Sequence, residues 1–118
     1  MKEIKAYVRR DRVNAAVREL ERMGAPGITL VEVHPVGYGY EPNYFEPEFA
    51  DPLKRYQQVN VTKLEIVCAD SDANHFVEAI RTACGTGTKG DGMIFVAEVS
   101  RAIRIRDGAT GEQLVRGK

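Results

Sequence analysis

Two passages of the chain repeat one order of periods: an alternating apolar run, a helical stripe, then a second β-run. In the first passage Ile4, Ala6 and Val8 alternate with polar or amphipathic neighbours, the period of a strand. Val13, Ala16, Val17 and Leu20 then fall at helical spacing, with Arg and Glu on the other face. Asp11 is placed to cap that helix, Gly24 to end it, and Pro26-Gly27 to turn the chain into a second strand over Ile28–Val36. The second passage begins with a strand over Val61–Ala69. Leu64, Ile66 and Cys68 share one of its faces, Glu65 and Val67 the other. A helix capped by Asp70 or Ser71 follows, with a stripe of Phe76, Val77, Ile80, Ala83 and Cys84, then a fourth strand over Met93–Val99. The order β-α-β-β-α-β predicts an α+β, ferredoxin-like domain: four antiparallel strands with two helices on one face. Apolar residues occupy both parities of the strands, Val31 and Val33 against Ile28 and Leu30. The bare sheet face is therefore expected to be covered, most simply by another copy of the chain.

At 118 residues the chain is long enough for one domain with its own core. Lys plus Arg (17) equals Asp plus Glu (17), so there is no general basic field for nucleic acid. No apolar run approaches the length of a membrane span, and the charged start Met1-Lys2-Glu3-Ile4-Lys5 lacks the apolar core of a signal peptide. Two cysteines, Cys68 and Cys84, make no disulfide framework, which fits a reduced cytoplasmic protein.

Between the second helix and the fourth strand runs Thr86-Gly87-Thr88-Lys89-Gly90-Asp91-Gly92-Met93. Glycine reaches positive φ, which lets successive amide N–H groups converge on one hollow, a nest for anions and above all phosphate. Lys89 adds a mobile positive charge. Downstream, Arg104 and Arg106 alternate with Ile103 and Ile105; on a strand they would share a face and grip phosphate by forked hydrogen bonds. No Walker pattern is present, and the loop follows a helix rather than a strand, unlike a dinucleotide fold.

The stretch from Gly37 to Gln58 has neither period. Pro42, Pro47 and Pro52 recur through it, and it gathers Tyr38, Tyr40, Tyr44, Phe45, Phe49 and Tyr56. A loop this long in a small domain is usually functional, and aromatic content of this kind suits a contact surface.

These passages together resemble the PII signal-transduction family. The opening Met-Lys-x-Ile, the run Gly27-Ile28-Thr29-Leu30-Val31-Glu32-Val33, and Leu64-Glu65-Ile66-Val67 are similar to its strands. Thr86-Gly87-x-x-Gly90-Asp91-Gly92-x-Ile94-Phe95-Val96 matches its B-loop signature, and Ile103-Arg104-Ile105-Arg106-x-Gly108 the start of its C-loop. The resemblance implies a single PII-like domain over 1–118, with the T-loop at 37–58, the B-loop at 85–92 and the C-terminal segment at 103–118. It implies a homotrimer with inward-facing sheets and adenine nucleotide (ADP, AMP or ATP) in the clefts between subunits. Gly27, Ile28 and Thr29 would serve the adenine, Glu65 the ribose, and Val67 the base. Gly37, Thr86, Gly90, Asp91 and Gly92 would surround the phosphates, with Lys89, Met93, Arg104 and Arg106 beside them. The nucleotide would be a regulatory ligand rather than a cofactor, and the T-loop would dock on a target protein such as a membrane transporter. The resemblance implies no catalysis, and magnesium is left open.

Several positions depart from the family pattern. Met93 stands where the family has a lysine that meets the terminal phosphates; Lys89, four positions earlier, is the available substitute. His34-Pro35-Val36-Gly37 replaces Lys-Gly-Phe-Gly, and Gly39 aligns near the glutamine that serves magnesium, ATP and 2-oxoglutarate. The Tyr-Arg-Gly modification motif is absent from the loop, which is about three residues longer than usual. Loss of one charged phosphate contact costs roughly 1.5–3 kcal/mol, so ADP or AMP is expected to bind at least as well as ATP, and 2-oxoglutarate weakly or not at all. The alternatives are a standard 2-oxoglutarate and ATP sensor of nitrogen and a bicarbonate-responsive regulator of carbon metabolism.

Other classes fit the residues less well. Lys89–Val96 superficially resembles an RNA-binding RNP1 run, but Asp91 takes the place of a stacking aromatic. An acylphosphatase would need Arg9 or Arg10 with Asn60 or Asn74, and no nucleophile and base pair accompanies them. His34, His75, Cys68 and Cys84 have no metal-ligand spacing.

Overall fold

The computed structural model describes residues 1–35 and 61–117. The expected Gly37–Gln58 loop, with its aromatics, Gly37 and Gly39, lies outside them. Four strands, β1 (Lys2–Arg9), β2 (Thr29–Val33), β3 (Val61–Cys68) and β4 (Gly92–Glu98), form one antiparallel sheet in the order β2-β3-β1-β4. Helices α1 (Val13–Arg22) and α2 (Asp70–Cys84) follow β1 and β3. The ferredoxin-like architecture anticipated from the two periods is therefore present.

The core is the layer between helices and sheet. Ile4, Ala6 and Val8 of β1 and Leu64, Ile66 and Cys68 of β3 meet Ala16 and Leu20 of α1 and Phe76, Ile80 and Cys84 of α2. Ile4, Leu20, Leu64 and Ile80 are fully buried, each contributing about 1.5–3 kcal/mol relative to exposure. Both cysteines are buried and free. Burial raises the Cys84 thiol to about 11, so it is packed as a small apolar side chain rather than poised as a nucleophile.

Register decides what the opposite face carries. Lys5 lies between Glu65 and Phe95, and Tyr7 between Lys63 and Met93. Charged pairs therefore run along the middle, Lys5 with Glu3 at 3.1 Å and Lys63 with Glu65 at 2.8 Å. The flanks are apolar: Val31 on β2, and Met93 and Phe95 on β4, are exposed, with Phe95 edge-on to Tyr7 at 6.0 Å between ring centres. Within one chain this face has no cover among the described residues.

The structure corrects the expected element ends. Asp11 caps nothing: it lies in a short 3-10 turn, Arg10–Arg12, and α1 begins after Arg12 without a side-chain cap. α2 likewise begins after Ala69, with Asp70 inside its first turn rather than before it. The second strand stops at Val33, short of Pro35, whose ring supplies no donor to a ladder. The C-terminal tail folds back onto the domain. Glu112–Val115 form a 3-10 turn, and the Gly117 N–H donates to Asp72 Oδ2 at 3.2 Å. The partly buried pair Leu114 and Val115 gives it something to bury. Among the described residues no helix is long and apolar enough to cross a membrane.

Candidate functional site

The glycine loop is built as an anion nest, and its own carboxylate occupies part of it. Gly87, Gly90 and Gly92 take φ of 81°, 95° and 117°, the left-handed region that favours glycine. The turn brings the N–H groups of Thr86 (2.7 Å), Gly87 (2.8 Å) and Thr88 (3.3 Å) onto Asp91 Oδ2, while the Thr86 hydroxyl donates to Oδ1. Asp91 thus takes three of the loop's amides and sets the shape of the loop.

These donors, the Thr86 hydroxyl first and its amide second, lower Asp91 from its ordinary 3.8 to about 2. Because the folded value lies below the unfolded one, the loop's stabilisation by Asp91 is present above about pH 4. It is lost as pH falls through 2. The amide resonances of Gly87 and Thr88 are expected to titrate with a midpoint near 2; a midpoint near 3.8 would mean that Asp91 does not hold the loop.

A second clamp comes from Arg9, at the end of β1. Its Nε donates to Gly90 O at 3.0 Å; Nη2 donates to Lys89 O at 2.9 Å and Thr88 Oγ1 at 3.3 Å and lies 3.7 Å from Asp91 Oδ1. Arg9 thus gathers the loop's carbonyls on one side. The Lys89 ammonium has no hydrogen bond or ion pair among the described residues and projects from the exposed crest. Met93 sits one residue past the start of β4, opposite Tyr7. Gly87, Asp91, Gly92 and Met93 line a cleft of about 550 Å³ together with residues of β1, α2 and β4.

The residues expected at the adenine and ribose lie elsewhere. Gly27, Thr29, Glu65 and Val67 do come together, lining a cleft of about 300 Å³ with Pro26, Leu114 and Val115. Leu114 and Val115 were missed by sequence reasoning; an apolar pair inside a charged tail was the available signal. A Cβ on Gly27 would meet nothing within 4 Å, so the chain's own packing does not require glycine there. Ile28 packs against the core instead of lining the cleft. Glu65 is ion-paired with Lys63, whose ammonium is held above its usual range first by that hydrogen bond.

The arginines form a third group, and not on a strand. Ile103 and Thr110 make an isolated bridge, and the turn between them is closed by Arg104 N–H to Ala109 O and Gly108 N–H to Arg104 O, both 2.8 Å. Arg106 lies in the turn itself, so the two guanidiniums do not share a strand face as expected. Gly108, at φ 73°, is what lets the chain reverse so tightly. Arg104 is forked onto Asp107, whereas Arg106 has no partner among the described residues.

Within one chain these groups stand apart. β2 and β4 are opposite edges of the sheet, so the Gly27–Thr29 cleft and the glycine loop flank it on different sides. The arginine turn departs from the Glu98 end of β4, beside Lys2, and the loop enters at the Gly92 end, beside Val8. Those ends are roughly 20 Å apart along a strand of this length. Among the described residues no three His, Cys, Asp or Glu side chains cluster as metal ligands. Arg9 is engaged by the loop and Arg10 by Glu32, so neither stands ready for acylphosphatase chemistry; Asn60 lies outside the described residues.

Comparison with known proteins agrees with the fold and the loop. The family described as nitrogen regulatory protein P-II matches residues 1–109. The chain is 38% identical over 116 residues to the nitrogen regulatory protein P-II of Rhizobium meliloti (strain 1021), covering 94% of this chain and 96% of that one. It is 35% identical over 117 residues to nitrogen regulatory protein P-II 2 of Methanothermobacter thermautotrophicus, covering 98% and 97%. It is 34% identical over 115 residues to the P-II protein of Cereibacter sphaeroides, covering 98% and 100%. With a βαββαβ sheet, a glycine loop before β4, and matches along nearly its whole length, the chain belongs to the nitrogen regulatory protein P-II family.

Proposed function

We propose that the protein is a cytoplasmic, non-enzymatic regulator that binds adenine nucleotide in clefts between the subunits of a homotrimer. It signals through the 37–58 loop to a target protein, a membrane transporter being one such target. The observation that supports this most is the separation of the three groups. A base cleft at Gly27, Thr29, Glu65 and Val67, a phosphate loop before β4, and an arginine turn after it cannot converge on one ligand within a chain. A neighbouring copy, packed on the apolar flanks of the open sheet face, would bring a loop and a base cleft together.

Met93 favours short phosphate chains. A thioether beside Tyr7 offers no charge to a terminal phosphate, and Lys89 on the exposed crest is the loop's remaining cation. ADP and AMP therefore bind at least as well as ATP, and 2-oxoglutarate adds little.

Calorimetric titration with AMP, ADP and ATP, each with and without 2-oxoglutarate and bicarbonate, tests this. ATP preference reinforced by magnesium and 2-oxoglutarate would replace the proposal with a standard nitrogen sensor. Coupling to bicarbonate would make it a regulator of carbon supply. Gly27→Leu is the matched control. A Cβ there meets nothing within 4 Å in the chain, so thermal stability should hold while adenine nucleotide affinity falls at least tenfold. Unchanged affinity would remove the base from this cleft.

A further inference from the structure

The turn that carries Arg104 also carries its counter-ion. Arg104 Nε donates to Asp107 Oδ1 at 3.0 Å, and Nη2 donates to Oδ2 at 2.7 Å. This is the forked edge with which a guanidinium grips a phosphate through two parallel bonds. The Ala109 N–H donates to Asp107 Oδ1 at 3.0 Å, so the carboxylate is anchored by the backbone as well as by the guanidinium. Arg104 first and that amide second hold the Asp107 carboxyl below its usual range, which keeps it ionised at neutral pH. Arg106, two residues on, has no such partner among the described residues.

We propose that Asp107 determines which nucleotide is bound, by withholding Arg104 from extended phosphate chains. The carboxylate fills the fork and places a negative charge within hydrogen-bond distance of where phosphate oxygens would sit. An incoming phosphate must displace Asp107 or accept the exposed end of a neutralised guanidinium. Both options become less favourable as more phosphate charge has to be accommodated, so Asp107 penalises ATP more than ADP, and ADP more than AMP. This rests on the nucleotide reading above and deepens it by assigning part of the preference to one residue.

The test uses the full chain and two neutral variants. Asp107→Asn keeps an oxygen for the Ala109 amide and loses the charge together with one acceptor of the fork; Asp107→Ser keeps a smaller acceptor in case the amide packs poorly. Circular dichroism and thermal melts confirm that each is folded. Titrations with AMP, ADP and ATP are expected to show ATP affinity rising roughly tenfold, ADP less, and AMP little. In an Arg104→Ala background the same Asp107 substitution should change ATP affinity by no more than about twofold, because the withheld group is gone. If the wild type binds nucleotide and both neutral variants bind ATP equally or more weakly, Asp107 positions Arg104 rather than competing for it, and the inference is overturned. If the gain persists undiminished without Arg104, the effect is general repulsion and the role of the fork is overturned. If neither wild type nor variants bind any of the three nucleotides, the nucleotide reading itself fails, and this inference with it.

Discussion

Replacing Val31 and Phe95 together by lysine is expected to convert the proposed homotrimer to monomers. Val31 is 38% and Phe95 43% exposed, and both lie on the sheet face that no helix among the described residues covers, at its β2 and β4 flanks. A stable interface buries roughly 800 Å² on each partner, with apolar residues at its centre. Two lysines per chain would bring six charges into a trimeric centre, each costing several kcal/mol unless paired. Light scattering after size exclusion should move from three chains to one, while circular dichroism stays native because the core on the other face is untouched. On the proposed function nucleotide binding should disappear as well, since the Gly27–Thr29 cleft and the glycine loop would then lie on separate molecules. A double variant that remained trimeric would place the interface elsewhere, and nucleotide binding by a true monomer would refute the shared cleft.

Arg9→Ala is expected to loosen the glycine loop and weaken nucleotide binding by roughly ten- to thirtyfold. The guanidinium holds the Gly90 and Lys89 carbonyls and the Thr88 hydroxyl from 80 or so residues away. Its side chain is 37% exposed, so solvent screening reduces the effect of these bonds to about 1–2 kcal/mol. Hydrogen exchange at Gly87 to Gly90 should accelerate even without ligand, which separates loss of loop order from loss of a direct contact. Arg9→Lys should recover little, because one ammonium on a flexible stem does not reproduce a planar fork spanning two carbonyls. Unchanged exchange in Arg9→Ala would leave Asp91 alone as the organiser of the loop.

Particular residues show which parts of the site were legible in advance. Gly27, Thr29, Glu65 and Val67 were grouped by resemblance, and they share one cleft. The glycines at 87, 90 and 92 were read as positive-φ positions, and they are; that Asp91 holds three amides of the same loop was not anticipated. The signal was present: a carboxylate three to five residues after the amides it caps is a local contact. Asp107 three residues after Arg104 is another such pair, obscured by reading that stretch as a strand. Gly108 and the pairing of Ile103 with Thr110 make it a turn instead.

What the sequence determined by itself was the order and kind of elements, the helix-facing core, and the position of the glycine loop. Strand and helix periods are written in neighbouring residues, so Ile4, Ala6 and Val8, or Phe76, Ile80 and Cys84, announce their buried side without reference to the rest of the chain. Only the tertiary structure decided that Arg9 clamps the loop, that Leu114 and Val115 complete the Gly27–Thr29 cleft, and that this cleft and the glycine loop fall on opposite edges of the sheet. The reason is that strand order and the return of the tail depend on contacts between residues tens of positions apart. Such contacts form through burial and backbone pairing in three dimensions and leave no period along the chain.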